Sequence, residues 1–230
     1  MHWFFDNTFN ESSKKISSDE LRHLRSLRIR PNEQIAITDG KGSVFFCTAS
    51  NPDNGEVEVL RMEKKESMTP RIHLVQALAK GDRDEQALQM AVELGVATVT
   101  PWQAEHSIVL WSEKAEKNRQ RWQEIANSAM KQSHSAYQPH VENLAKTKEL
   151  RPKGVGIVLD PGAEKAISSL DKSVEELTLV VGPEGGFGAS EIKNLQDQGF
   201  ESYRLGSSIL RTSTAGPAAM SAILALTGRW

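Results

Sequence analysis

At 230 residues, with 38% hydrophobic and 25% charged side chains and a formal net charge of −2, the chain has the composition of a globular protein able to bury a sizeable core. The near-neutral balance excludes indiscriminate attraction to nucleic acid, so any such affinity must sit in local patches. One cysteine, Cys47, excludes an intramolecular disulfide and fits a small core position in a reducing compartment.

No apolar run is long enough to span a bilayer, and Met1-His2-Trp3-Phe4-Phe5-Asp6 lacks the basic start and long apolar stretch of a signal peptide, so the cytoplasm is the expected location. Ser17 and Glu20 form a capping-box pattern ahead of Leu21, Leu24 and Leu27, which predicts a short helix. Strands are expected over 34–38, 43–49 and 56–62, separated by the turns Asp39-Gly40-Lys41-Gly42 and Asn51-Pro52-Asp53-Asn54-Gly55. This pattern describes a small β-barrel with one helix over residues 1–70. The charged stretch 63–70 ends in Pro70 and reads as the linker to a second domain, 71–230.

From Arg71 strands alternate with helices, the signature of an α/β fold with a mostly parallel sheet. A strand at 72–79 precedes a helix that carries Ala87, Leu88, Ala91 and Leu94, capped by Asp82 with Glu85 and closed by Gly95. A strand at 98–102 and a long helix at 112–133, burying Trp122, Ile125, Ala126 and Ala129, come next. Strands at 156–159 and over Leu177, Leu179, Val180 and Val181 follow, then one at 203–206, for about five in all.

Two glycine loops stand out at the ends of the last two strands. Gly182, Pro183, Gly185, Gly186 and Gly188 follow the first, and a helix opens at Gly188 with Glu191 in its first turn and Gly199 at its end. Gly206 ends the second, followed by Ile209-Leu210-Arg211-Thr212-Ser213-Thr214-Ala215 and a helix expected to open near Gly216 and Pro217. Such loops at the carboxyl edge of a parallel sheet are where open α/β folds bind ligands. Neither G-x-G-x-x-G nor G-x-x-x-x-G-K-[ST] is present, which excludes the two familiar phosphate-binding loops. The six histidines show no metal-ligand spacing, and no G-x-S-x-G occurs, so neither a metal nor a covalent mechanism is expected.

The pair GPEGGFGASEI and LGSSILRTSTA resembles the paired motif of the RsmE family of ribosomal RNA methyltransferases, in the SPOUT trefoil-knot superfamily. KGDRDEQALQMAVELGVATVTPWQAEHS and, more weakly, ELRHLRSLRIRPNEQIAITDGKG extend the resemblance over nearly the whole chain. It implies a PUA-like N-terminal barrel for RNA, a knotted C-terminal domain through which the segment from Leu205 to Thr214 threads, and a homodimer. It also implies transfer of the methyl of S-adenosylmethionine to N3 of a uridine in small-subunit (16S) ribosomal RNA. Leu159, Gly182, Pro183, Glu184, Gly185, Gly186, Leu205, Gly206, Ile209, Leu210, Arg211, Thr212, Ser213, Thr214 and Ala215 would surround the cofactor.

Loss of the N3 proton leaves negative charge on the base, so a cation or a proton acceptor is needed; Arg211 and Glu184 are the candidates for catalysis. Arg22, Arg25 and Arg28, three apart in the first helix, are the candidate RNA contacts, and 114–131 is a second basic stretch. The chain departs from the family pattern at Ser213, where Glu is common, at Met90, where Lys is common, and in 131–139, which lacks the usual arginine. A knotted enzyme methylating a ribose 2′-hydroxyl or another RNA, and a non-catalytic ribosome assembly factor, stay open as alternatives.

Overall fold

The computed structural model describes Met1–Trp230 and divides into two compact units, Met1–Ser67 with Met130–Gln138, and Met68–Ala129 with Pro139–Trp230. In the first unit β1 (His2–Phe5), β2 (Glu33–Thr38), β3 (Ser43–Asn51) and β4 (Glu56–Lys64) form one sheet in that order, with α1 (Ser18–Ser26) between β1 and β2. Strand β1, parallel to β2, is an element that the sequence reading did not assign. Register shifts in the β3–β4 ladder mark bulges, which bend the sheet. The inner face buries Phe4, Ile35, Ile37, Phe45 and Cys47 against Leu24 of α1. Cys47 is fully buried and its thiol is pushed up to about 12 by burial, so it fills core space and is unreactive.

The helix forms, but not by the predicted capping box. Ser17 is the N-cap without a side-chain cap bond, and its N–H donates instead to the Asp6 carboxylate at 2.8 Å. Glu20 turns inward, where Lys131 Nζ donates at 2.7 Å and His23 Nδ1 lies at 3.1 Å.

Residues 130–138 join the first unit for a packing reason that helical periodicity does not carry. Trp3, Ala36, Phe46 and Arg61 form one row across the sheet's outer face. Ala36 leaves that row low in the middle. Ala136 packs on Ala36 and Val44 there, flanked by Tyr137, and His134 stacks on Trp3 at 4.9 Å. Thr38 Oγ1 donates to the Ala136 carbonyl at 3.0 Å, and the Tyr137 hydroxyl to the Lys65 carbonyl at 2.9 Å.

In the second unit β5 (Arg71–Ala77), β6 (Thr98–Gln103), β7 (His140–Val141), β8 (Ala145–Lys146), β9 (Val155–Leu159), β10 (Glu176–Val181) and β11 (Phe200–Tyr203) make a seven-stranded sheet, ordered β11-β9-β10-β5-β6-β7 with β8 also on β6. Every pair is parallel. Five strands are substantial, as expected, and β7 and β8 are two-residue additions. Helices α2 (Arg83–Glu93), α3 (Ala115–Gln132), α4 (Ala189–Asp197) and α5 (Thr212–Leu226) connect or follow them.

Two details differ from expectation. Asp82 at the N-cap of α2 is left-handed with φ 58° and makes no cap bond; Asp84 does that work, accepting from the N–H groups of Ala79 at 3.1 Å and Glu85 at 2.9 Å. The last strand ends at Tyr203, and α5 opens at Thr212 with Pro217 inside it, rather than near Gly216. Gly216 and Ala219 are buried, and a Cβ on Gly216 would already touch Leu74 and Val181 at 3.4 Å, so this face of α5 packs on its own sheet.

His73, near the start of β5, is buried with Nδ1 2.8 Å from Thr98 Oγ1 and Nε2 3.0 Å from Glu176 Oε1. The carboxylate can only accept, so Nε2 carries the proton and the Thr98 hydroxyl donates to Nδ1. Burial holds the imidazole below its ordinary range, and the hydrogen bond from His73 holds Glu176 below the usual carboxylate range. Both depressions act in one direction. The unfolded chain takes up a proton at His73 below roughly pH 6.5 that the folded chain resists, and at lower pH Glu176 loses its advantage too, so stability falls on acidification. The urea midpoint is expected to drop between pH 7.5 and 5.5, and His73→Gln to flatten that dependence; an unchanged slope in the variant would refute the assignment.

Candidate cofactor site

Strand β10 is buried from Leu177 and apolar from Leu179 to Val181, then meets Gly182 and turns. The loop folds the Phe187 ring back over Gly182, where a Cβ would lie 2.8 Å from the ring, and Phe187 packs on Trp102 with centroids 5.8 Å apart. Gly186 has φ +71°, a conformation suited to glycine. Gly188 is the N-cap of α4. Glu191 reaches away from the cap to accept from Glu105 N–H and Thr147 Oγ1, each at 2.8 Å, which fastens α4 to the loop after β6.

The second wall comes from the segment after β11. Arg204 is held along the β9–β10 connection, its N–H donating to the Lys165 carbonyl at 2.8 Å, and its carbonyl accepting from Ile167 N–H at 2.9 Å. The chain then runs to Arg211, the N-cap of α5. Thr212 Oγ1 donates to the Gly182 carbonyl at 2.8 Å and so ties the two loops together.

Between them lies a cavity of about 380 Å³. Of the residues expected around a cofactor, Leu159, Gly182, Pro183, Glu184, Gly186, Leu205, Gly206, Ile209, Leu210, Arg211, Thr212 and Ala215 line it. Gly185, Ser213 and Thr214 do not. A Cβ on Gly185 would meet His106 Cβ at 2.9 Å, and His106 Nδ1 donates to its carbonyl at 3.2 Å, so this glycine is small to admit the loop after β6. Ser213 is buried within the first turn of α5, and Thr214 is exposed. The sequence reading missed Asp160, Pro161, Val181, Phe187, Ile192 and Ser208. Phe187 and Ser208 lie inside the two quoted motifs, and Asp160-Pro161 at an adjacent strand end, so position along the motif was the available signal.

The walls are mainly apolar, with polar groups on the main chain and at Asp160, Glu184, Ser208, Arg211 and Thr212, the usual make-up of a small-molecule site. At Gly206 a Cβ would meet no protein atom within 4 Å, and the same holds at Gly186, so both leave open space at the wall. The Glu184 carboxylate accepts from Arg83 Nη1 at 3.0 Å and from Lys80 N–H at 3.4 Å, which anchors the glycine loop to the start of α2. Ile209 is 83% exposed and Leu210 37% exposed at the rim.

The arginines expected to hold RNA are all exposed but do not share one helical face. Arg22 lies 3.5 Å from Asp19, Arg25 Nε donates to the Asp53 carbonyl at 3.0 Å, and Arg28 lies beyond the end of α1 with φ 54°. In the second basic stretch Arg119, Arg121 and Lys131 are held by Glu116, Glu85 and Glu20. No group of side chains suited to a metal ion is present, and no helix is long and apolar enough to cross a membrane.

Comparison with known proteins places this geometry. Residues 65–224 match the model of an RNA methyltransferase domain, and residues 16–63 that of an RNA methyltransferase PUA domain. Ribosomal RNA small subunit methyltransferase E of Mycobacterium bovis is 33% identical over 228 residues, covering 94% of this chain and 87% of the relative; that of Bacillus subtilis is 29% identical over 226 residues, covering 90% and 88%. The crystal structure of ribosomal RNA small subunit methyltransferase E from Neisseria gonorrhoeae bound to S-adenosyl methionine superposes with a TM-score of 0.89 at 31% identity, covering 98% of each chain. A methyltransferase from Legionella pneumophila with bound SAM gives 0.88 at 26% identity, covering 97% of this chain and 96% of that one. With a two-loop cavity at the carboxyl edge of a parallel sheet and relatives matched over nearly its whole length, the chain belongs to the ribosomal RNA small subunit methyltransferase E family.

Proposed function

We propose that this protein is an S-adenosylmethionine-dependent methyltransferase acting on N3 of a uridine in 16S ribosomal RNA. The observation that carries the reading is the cavity formed by both glycine loops, in a chain whose relatives of the same fold hold the cofactor. The site fits that molecule in its chemistry. Leu159, Phe187, Ile192 and Leu205 offer apolar surface for a purine, the main chain near Gly182 and Gly206 offers hydrogen-bonding groups, and Glu184 has acceptor capacity for ribose hydroxyls. When bound, S-adenosylmethionine supplies the electrophilic sulfonium methyl.

The chain's own residues bind, orient and exclude water. N3 gives up its proton to solvent and then takes the methyl, and the pyrimidine carries negative charge on the way. The Arg211 guanidinium, at the N-cap of α5 on the cavity wall, balances that charge together with the partial positive end of the helix. Glu184, already paired with Arg83, serves the cofactor and the loop rather than the proton. Calorimetry with S-adenosylmethionine separates this reading from a non-catalytic assembly factor, which gives no heat. Nucleoside analysis of the methylated RNA separates it from a ribose methyltransferase.

The RNA surface proposed is the basic end of α1. Reversing Arg22 and Arg28 to Glu should weaken RNA binding and lower the steepness of its salt dependence by about one unit per lost phosphate contact. Cofactor affinity should stay as it is. Unaltered methylation with the same salt slope would remove α1 from the RNA surface. We also propose a homodimer, because Ile209, Ile108 at 61% and Leu110 at 60% exposure leave large apolar side chains uncovered on the second unit. Light scattering should give twice the chain mass at micromolar concentration, and one chain's mass would overturn this.

A further inference from the structure

One polar side chain in the second unit serves neither the surface nor a cap. Gln76 lies near the carboxyl end of β5, fully buried, opposite Val181 of β10 and Pro101 of β6. Its Nε2 donates to Thr212 Oγ1 at 2.9 Å and to the Ala77 carbonyl at 3.2 Å. The direction of the first bond is set by chemistry. A hydroxyl has one proton, and Thr212 gives it to the Gly182 carbonyl at 2.8 Å, so toward Gln76 it can only accept. Turning the amide over would set two lone-pair oxygens against each other. The relay therefore runs one way, from the Gln76 amide through the Thr212 hydroxyl to the Gly182 carbonyl.

That orientation leaves Gln76 Oε1 buried with no hydrogen-bond partner. A buried acceptor without a partner costs stability, and an apolar side chain of similar size avoids the cost. The amide gives its two donors to Thr212 Oγ1 and the Ala77 carbonyl, and keeping them at the expense of a stranded oxygen points to a role for that relay. Gly182 and Thr212 both line the cavity, from opposite loops, whereas Gln76 does not touch it.

The structure assigns Gln76 as a positioning residue for the cofactor: it holds the Thr212 hydroxyl, which holds the Gly182 carbonyl, so that both walls of the cavity keep one register. The inference rests on the reading of that cavity as the S-adenosylmethionine site. Being buried, the relay does not exchange partners with solvent and stays formed before the cofactor arrives, which is the preorganisation that lowers the cost of binding.

The test compares wild type with Gln76→Leu, and with Gln76→Met in case the branched side chain packs badly. Calorimetry measures S-adenosylmethionine affinity, initial rates at saturating RNA give KM and kcat, and thermal melts give stability. The expected result is a melt unchanged or raised, a Kd and a cofactor KM about tenfold higher, and kcat at saturating cofactor within about threefold. Thr212→Val should weaken binding similarly, and the double variant should lose little more, because both break the same relay. Wild-type affinity in both Gln76 variants, or melts that fall together with affinity, would make Gln76 a plain core amide and overturn the inference. Absence of heat from the wild type would instead defeat the cavity reading, and the inference with it.

Discussion

Gly206→Val is expected to abolish S-adenosylmethionine binding, by about 100-fold or more, while the thermal melt stays within a few degrees of wild type. Gly206 lines the cavity, its φ is not in the left-handed region, and a Cβ there meets no protein atom within 4 Å. The backbone can therefore accept a branched side chain, whose methyl groups take up space that the ligand needs. A 100-fold loss corresponds to about 2.7 kcal/mol, a modest demand for steric exclusion. Gly185→Val makes the contrast. Its Cβ would lie 2.9 Å from His106 Cβ, so binding should fall together with stability as the loop after β6 is pushed away. Full affinity in Gly206→Val would move the site out of this cavity.

The second large effect concerns stability. Lys131 and Glu20 face each other at 2.7 Å with side chains only 15% and 11% exposed, and His23 Nδ1 sits 3.1 Å from the other carboxylate oxygen. Lys131→Met leaves the Glu20 charge nearly buried with one partner gone, which typically costs about 3–5 kcal/mol. Replacing both, as in Glu20→Leu with Lys131→Met, removes the stranded charge and should recover most of the loss. Equilibrium unfolding in urea reads both. A cost below about 1 kcal/mol for the single change would put the pair in the class of surface ion pairs.

Strand and helix periodicity made most of the architecture legible. Buried strands such as Leu177–Val181 read as apolar runs, and Gly95 and Gly199 marked helix ends with φ +81° and +95°. What escaped was decided by partners far along the chain. Glu20 matched a capping box, yet a lysine 111 residues away offered a stronger bond than the cap. The segment after the long helix carries no apolar period, yet Ala136 and Tyr137 fill the low centre of the sheet face set by Ala36. Arg28 kept the three-residue spacing of Arg22 and Arg25 while the helix had already ended at Ser26.

The site followed the same division. The glycine loops announced themselves, because sharp turns at strand ends need small residues, and most of the expected residues line one cavity. Gly185 does not line the cavity and instead admits a neighbouring loop, and a glycine of either kind looks the same in sequence. Gln76, one amide in a buried strand, carried no motif at all; only the Thr212 and Gly182 bonds give it meaning. Threading of a chain through a loop leaves no periodic trace, and rests on the family resemblance.

Methylation of uridine N3 is read from the fate of a labelled methyl group. Small ribosomal subunits lacking the modification would be incubated with the protein and methyl-labelled S-adenosylmethionine, and the 16S RNA digested to nucleosides for mass spectrometry. Label is expected in 3-methyluridine from a single position, with none when Gly206→Val replaces the wild-type protein. Label on a ribose hydroxyl or on another base, or an unlabelled RNA, would contradict it.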